Sequence, residues 1–322
     1  MPVDPEIQEI LDAMAGLPPS HTLSVAENRR RMEQRPREGL RIPPLARVET
    51  RTIAGPGGPL PLRIYTPHGV PGEHGVGLFP MLVFFHGSGF VVCSLDTHDI
   101  LCRNLCAGSG AIVVSVDYRL APEHKFPAGL EDCLHATRWA ASEAVSLGAD
   151  PRRIGVGGDS AGGNLATVTA IRIRDQGGLA LSAQLLLYPV TDYCEPGTPS
   201  YRENAEGYGL TAKQMAWFFG HYLAHPGDGA DPLVSPLRTD RLAGLPQALI
   251  YTAEYDVLRD EAERYAGRLR DAGVPVTLHR WHGMNHGFMQ WVGRVDRATE
   301  AVDAACAWLR ERLRSGSAGH KR

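Results

Sequence analysis

The chain has 322 residues, 43% of them hydrophobic, with 33 Lys and Arg against 36 Asp and Glu for a formal net charge of −3. That is enough apolar material for a sizeable core, and the slightly acidic balance excludes the basic field that attracts nucleic acid. No run approaches the roughly 18 apolar residues of a spanning helix, and Met1-Pro-Val-Asp-Pro-Glu6 lacks the basic end and apolar stretch of a signal peptide, so a cytoplasmic, soluble protein is expected.

In residues 1–45, Ile7, Ile10, Leu11 and Met14 share one helical face. The Arg-rich segment from Arg29 to Arg41 is interspersed with Glu27, Glu33 and Glu38, and reads as a solvated helix face rather than an anion patch. Val48–Ile53 and Leu60–Tyr65 flank Gly55-Pro-Gly-Gly-Pro59, which predicts a hairpin at a sheet edge. Met81-Leu-Val-Phe-Phe85 has the continuous apolar character of a strand buried on both faces, and it leads straight into His86-Gly-Ser-Gly-Phe90. Asp96 is placed to cap a helix through about Ala107, Ala111–Val116 is the next buried strand, and Asp117–Ala128 is an ordered loop before a helix from about Gly129 to Leu147.

Ile154 and Val156 then lead into Gly157-Gly-Asp-Ser-Ala-Gly-Gly-Asn164, and Ala161–Ala170 is helical in character. Gly158-Asp-Ser-Ala-Gly162 fits the pattern G-x-S-x-G, in which a serine stands on a sharp strand-to-helix turn. Only small residues allow that corner, and the helix beginning there aims unpaired N–H groups at developing negative charge. Ala183–Tyr188 is a strand ending at Pro189; from Thr191 to Leu237 the alternation is interrupted, with an aromatic-rich helix at Thr211–Leu223. Gln247–Thr252 and Val276–Trp281 are strands, Asp260–Ala272 and Arg294–Arg314 helices, and Ser315–Arg322 a disordered tail. Strands alternating with helices predict a mostly parallel sheet covered on both faces, with its site at the carboxyl ends of the strands.

A serine hydroxyl needs a base that takes its proton and returns it to the leaving group. For Ser160 the candidate is His286, in Gly283-Met-Asn-His-Gly-Phe288, with His282 as the nearest rival. A carboxylate that orients the imidazole falls to Asp256, while Asp260 and Glu261 read as first-turn residues of the next helix. The order Ser160…Asp256…His286 is that of α/β-hydrolases. His86-Gly87-Ser88-Gly89 suits an oxyanion hole, with N–H donors at Ser88 and Gly89 and a third at Ala161; His86 braces the loop. The six cysteines, Cys93, Cys102, Cys106, Cys133, Cys194 and Cys306, have neither disulfide-scaffold nor zinc spacing, so buried free thiols and no metal are expected.

These pieces, together with Asp256-Val-Leu-Arg-Asp-Glu261 and His286-Gly-Phe288, resemble the hormone-sensitive-lipase-like esterases, family IV of the bacterial lipolytic enzymes. The resemblance runs from about residue 45 to 315. It implies an α/β-hydrolase fold, a mostly parallel central sheet flanked by helices with a helical cap. On that pattern residues 1–45 and 191–237 form the cap, 46–190 and 238–315 the core, and 316–322 a flexible tail. It implies hydrolysis of short- to medium-chain acyl esters, a small-molecule ester as partner, no cofactor, and a homodimer as in many members. Two positions depart from the family: Ser88 stands where a glycine is usual, a cost of about 1–2 kcal/mol if its φ is positive, and Val257 stands where proline usually follows the acid. The same residues also suit an amidase or lactonase, or a small-ligand receptor on this scaffold, although receptors of this kind have lost the base that His286 supplies.

Overall fold

The apolar runs become the inner strands of one eight-stranded sheet. The computed structural model describes residues 2–69, 77–87 and 89–313. Its strands are β1 (Arg47–Gly55), β2 (Gly58–Thr66), β3 (Phe79–Phe85), β4 (Ile112–Val116), β5 (Ala149–Asp159), β6 (Ala183–Leu187), β7 (Gln247–Tyr255) and β8 (Val276–Asn285), in the spatial order β1-β2-β4-β3-β5-β6-β7-β8. β1 and β2 form the expected edge hairpin, β2 is also antiparallel to β4, and the other neighbours pair in parallel.

The helices are α1 (Pro5–Met14), α2 (Val25–Glu33), α3 (Asp99–Ser109), α4 (Ala128–Ser142), α5 (Ala161–Gln176), α6 (Pro199–Glu203), α7 (Ala212–Tyr222), α8 (Arg259–Asp271) and α9 (Asp296–Arg312). Period-two alternation divides each inner strand between two apolar layers. Met81, Val83 and Phe85 of β3 join α4, α5 and α8 through Leu130, Leu165 and Tyr265, whereas Leu82 and Phe84 join α1, α3 and α9 through Ile7, Leu101 and Val302. Burial on both faces is why these strands read as unbroken apolar runs.

Four local expectations are corrected. Asp96 caps no helix, because its carboxylate pairs with Arg63 at 2.7 Å; α3 begins at Asp99 with His98 as N-cap. The helix expected to reach Leu147 ends at Ser142. β7 and β8 run on to Tyr255 and Asn285, past the apolar core to the rim of the sheet, so His282 lies inside β8 rather than after it. The segment from Arg29 to Arg41 is not simply a solvated face. Arg29 forms a bidentate pair with Glu123 at 2.7 Å and also donates to the Val91 and Ala121 carbonyls, while Arg41 pairs with Asp303 at 2.6 Å and donates to Asn104. Helical spacing shows neighbours along the chain and not these distant carboxylates. The tail from Ser315 lies outside the described residues.

The loop 117–128 seats α7. Thr211 and Gln214 close a capping box at the start of α7, and at its end Lys125 Nζ donates to the His221 and Leu223 carbonyls at 2.8 and 2.7 Å. Phe90 and Tyr222 stack face to face beneath it, ring centroids 3.9 Å apart. The 191–237 segment starts on a buried carboxyl, since Glu261 Oε1 accepts the Thr191 and Asp192 N–H groups at 2.7 and 3.1 Å.

Burial raises the Glu261 pKa well above its ordinary value, and the two amide donors do not reverse this. The folded state therefore holds a proton that the unfolded state releases above about pH 4.3, and stability falls as pH rises from there toward the folded pKa. Glu261→Gln keeps an acceptor for Thr191 without the ionisation, so its urea midpoint should decline less between about pH 5 and 8 than that of the parent chain. Equal declines in both proteins would mean that Glu261 is already charged in the fold.

Candidate active site

The tight corner between β5 and α5 holds Ser160 at φ 55 and ψ −121, a backbone conformation that costs a non-glycine residue about 1–3 kcal/mol. The adjoining strand fixes it, because Ser160 N–H donates to the Leu187 carbonyl at 2.8 Å and the Ser160 carbonyl accepts from Val190 N–H at 3.1 Å. Small residues are required here by contact: a β-carbon on Gly162 would stand 1.9 Å from the Phe85 carbonyl oxygen. The hydroxyl is thereby lifted to the carboxyl end of the sheet.

His286 follows the end of β8 and brings Nε2 to 2.9 Å from Ser160 Oγ, while its Nδ1 lies 2.7 Å from Asp256 Oδ2. Asp256 is buried after β7, and its other oxygen accepts Leu258 N–H at 3.0 Å. Val257 is buried, and its carbonyl accepts from Ser200 Oγ at 2.6 Å while Asn204 donates to the Asp256 carbonyl at 3.0 Å, so the acid loop is pinned without proline. Tyr188 sets its ring edge-on to His286 at 5.0 Å. The two rivals lie elsewhere: His282 faces Glu254 at 3.3 Å, and Asp260 accepts from Arg259 and Ser200 N–H.

On the other side of Ser160, Gly89 has φ 56 and packs so closely under Phe218 that a β-carbon would meet the ring at 2.3 Å. Ala161 is the first residue of α5, where an N–H has no intrahelical acceptor. Ser88 lies outside the described residues. Gly87 N–H is already committed, donating to Asp159 Oδ1 at 2.7 Å. His86 is fully buried, stacks on Tyr118 at 4.5 Å, and is driven to a pKa of about 3 by burial first and by neighbouring His98 second, so it stays neutral and braces the loop.

Asp159 was not singled out by the motif, in which it is the variable position before the serine. It binds three groups, Gly87 N–H at 2.7 Å, His98 Nε2 at 3.2 Å and Gln290 Nε2 at 3.4 Å, and so ties the 86–90 loop to the corner. Burial alone would raise its pKa, but His98 and the Gly87 amide outweigh that and hold it below the usual carboxylate value.

A cavity of about 450 Å³ opens onto Ser160 and His286, with Met14, Met32, Leu210, Met215 and Phe218 among its apolar walls. Of the aromatic residues on α7, Phe219 and Tyr222 are buried against the body and Phe218 faces the cavity. A second hollow of about 590 Å³, lined by Arg138, Pro151, Arg152 and 177–180, touches β5 at its opposite end, away from these groups.

A parallel sheet carrying serine, histidine and aspartate in this relay defines a hydrolase of the α/β class. A family described as alpha/beta hydrolase fold matches residues 82–290. The chain is 42% identical to Esterase LipI of Mycobacterium tuberculosis over 96% of its length and 94% of the relative's, and 37% identical to the ethyl acetate hydrolase of Pseudomonas putida over 92% of each. It superposes on a hyperthermophilic esterase from the archaeon Pyrobaculum calidifontis with a TM-score of 0.90 at 41% identity, covering 98% of this chain and 100% of the other. The chain belongs to this α/β-hydrolase family, in the hormone-sensitive-lipase-like branch that its motifs resemble.

Because Asp159 accepts the Gly87 N–H and so ties it to the corner, Asp159→Ala should lower kcat on a p-nitrophenyl ester by about tenfold to a hundredfold, with a smaller change in KM. An unchanged kcat in a folded variant would show that the loop keeps its place without it.

Proposed function

We infer that the protein is a carboxylic ester hydrolase that acts through an acyl-enzyme. The hydrogen-bond relay Ser160–His286–Asp256, opening on an apolar cavity, carries this reading. Ser160 Oγ attacks the ester carbonyl as His286 Nε2 takes its proton, while Asp256 holds the ring and stabilises the imidazolium. The Ala161 and Gly89 amides, with that of Ser88, receive the developing oxyanion. His286 then returns the proton to the departing alkoxide, and the same residues activate water to release the acid. A receptor without a base would lack the serine–histidine contact.

Residues 1–45 and 191–237 serve as the cap. Their side chains Met14, Met32 and Phe218 close the cavity from above, and its size suits short- to medium-chain acyl groups, in keeping with the name of the ethyl acetate hydrolase relative. The cysteines are all unpaired, five of them buried, which supports a reducing compartment such as the cytoplasm. Among the described residues no helix is long and apolar enough to cross a membrane. A homodimer, implied by the resemblance, is tested by light scattering.

Ser160→Ala should abolish release of p-nitrophenol from p-nitrophenyl butyrate with the melting temperature retained, and an organophosphonate should label the parent chain once, on Ser160. Turnover by the alanine variant, or labelling elsewhere, would remove Ser160 from its role. A faster reaction with an anilide or a lactone than with the butyrate would move the assignment to an amidase or lactonase. Phe218→Ala should raise kcat/KM for the octanoate relative to the butyrate, measured across a series of p-nitrophenyl esters; an unaltered ratio would mean that Phe218 does not limit acyl length.

A further inference from the structure

We propose that Arg35 is a specificity residue, and that the preferred substrates are esters which also carry a carboxylate. The idea rests on the ester-hydrolase reading and names the substrate class for the same site. Arg35 follows α2 and lines the cavity that contains Ser160 and His286. Its side chain forms no hydrogen bond or ion pair among the described residues. The neighbouring cations are different: Arg31 donates to the Pro18 carbonyl at 2.6 Å and Arg37 to the Asp96 carbonyl at 3.2 Å.

Arg35 is exposed, and it contributes to the wall of the cavity. Its guanidinium is therefore free to pair with an anion that enters the cavity, and such a charge-assisted pair is stronger than a neutral hydrogen bond.

Two of the anions that line the cavity with it are engaged elsewhere. Asp159 is held by Gly87, His98 and Gln290, and Asp96 pairs with Arg63 at 2.7 Å. Glu33 lines the same cavity but makes no ion pair with Arg35 among the described residues. The Cys93 thiol is pushed up to about 11, chiefly by burial, so it carries no charge at neutral pH. A guanidinium fork presents paired donors that match a carboxylate. The surrounding Met14, Met32 and Leu210 suit a single charge at the end of an apolar chain better than a doubly charged phosphate.

The test compares esters matched in length. Monoethyl adipate carries the carboxylate on the acyl side and 3-acetoxypropanoate on the alcohol side; ethyl hexanoate and propyl acetate are their neutral partners, all followed by pH-stat. At least one carboxylated ester should match or exceed the kcat/KM of its neutral partner. In Arg35→Met that charged-to-neutral ratio should fall by about ten- to hundredfold, mainly through KM, with partial recovery in Arg35→Lys. A parent ratio tenfold below one for both pairs, or a ratio unmoved in Arg35→Met, overturns the proposal while leaving ester hydrolysis intact. If no ester is turned over, the hydrolase reading fails. Calorimetric binding of hexanoate then decides for Arg35: weakening of about tenfold or more in Arg35→Met supports the anion site, and equal binding rejects it.

Discussion

A serine held at φ 55 returns to an ordinary backbone conformation unless its surroundings forbid it, and around Ser160 the surroundings are two strands and a helix. Leu187 and Val190 bind its amide and carbonyl from the β6 side, and the close approach of Gly162 to the Phe85 carbonyl leaves the corner no room to relax. The strain is maintained by the most buried part of the sheet, where Val83, Phe85, Val156 and Leu186 share one apolar layer. Moving the hydroxyl therefore requires disturbing the core. That coupling is what turns the parallel sheet into a rigid support for one oxygen atom.

Buried acidic side chains extend the same support outward through hydrogen bonds to their neighbours. Asp159 fixes the loop beneath Gly89, Asp256 fixes the imidazole, and Glu261 fixes the start of the 191–237 segment. Asp159 and Glu261 differ in protonation because their surroundings differ. Asp159 has His98 beside it, which offsets the penalty of burial, whereas Glu261 is bound by neutral amides alone and favours its protonated form.

Features with a local physical cause were legible in the sequence. Strand runs such as Met81–Phe85, the G-x-S-x-G corner and the Thr211 start of α7 each reflect a rule that acts within a few residues. Asp256 and His286 were legible as well, because a parallel sheet brings the ends of β7 and β8 to the same rim as β5. What escaped depended on partners far along the chain: Asp96 drawn to Arg63, Arg29 to Glu123, Arg41 to Asp303, and Asp159 to the 86–90 loop. Tyr188, one residue past β6, has no signal in its neighbours that would place it against His286. Periodicity records which face of an element is buried, but not which residue of another element it meets.

The N-terminal segment shows how such distant pairings shape a site. Arg29 is clamped to the loop that seats α7, and Arg41 to α3 and α9 on the other face of the sheet. The residues between these anchors have their path set from both ends, much as a short closed loop loses the freedom of an open one. Exposed ion pairs contribute little to stability by themselves, but Arg29 also donates to two main-chain carbonyls and Arg41 to the buried Asn104. Both ends therefore resist displacement more than charge pairing alone would allow. Arg35 lies between these anchors in the wall of the cavity, without a side-chain partner among the described residues, so the bonds of other arginines bear on where it stands.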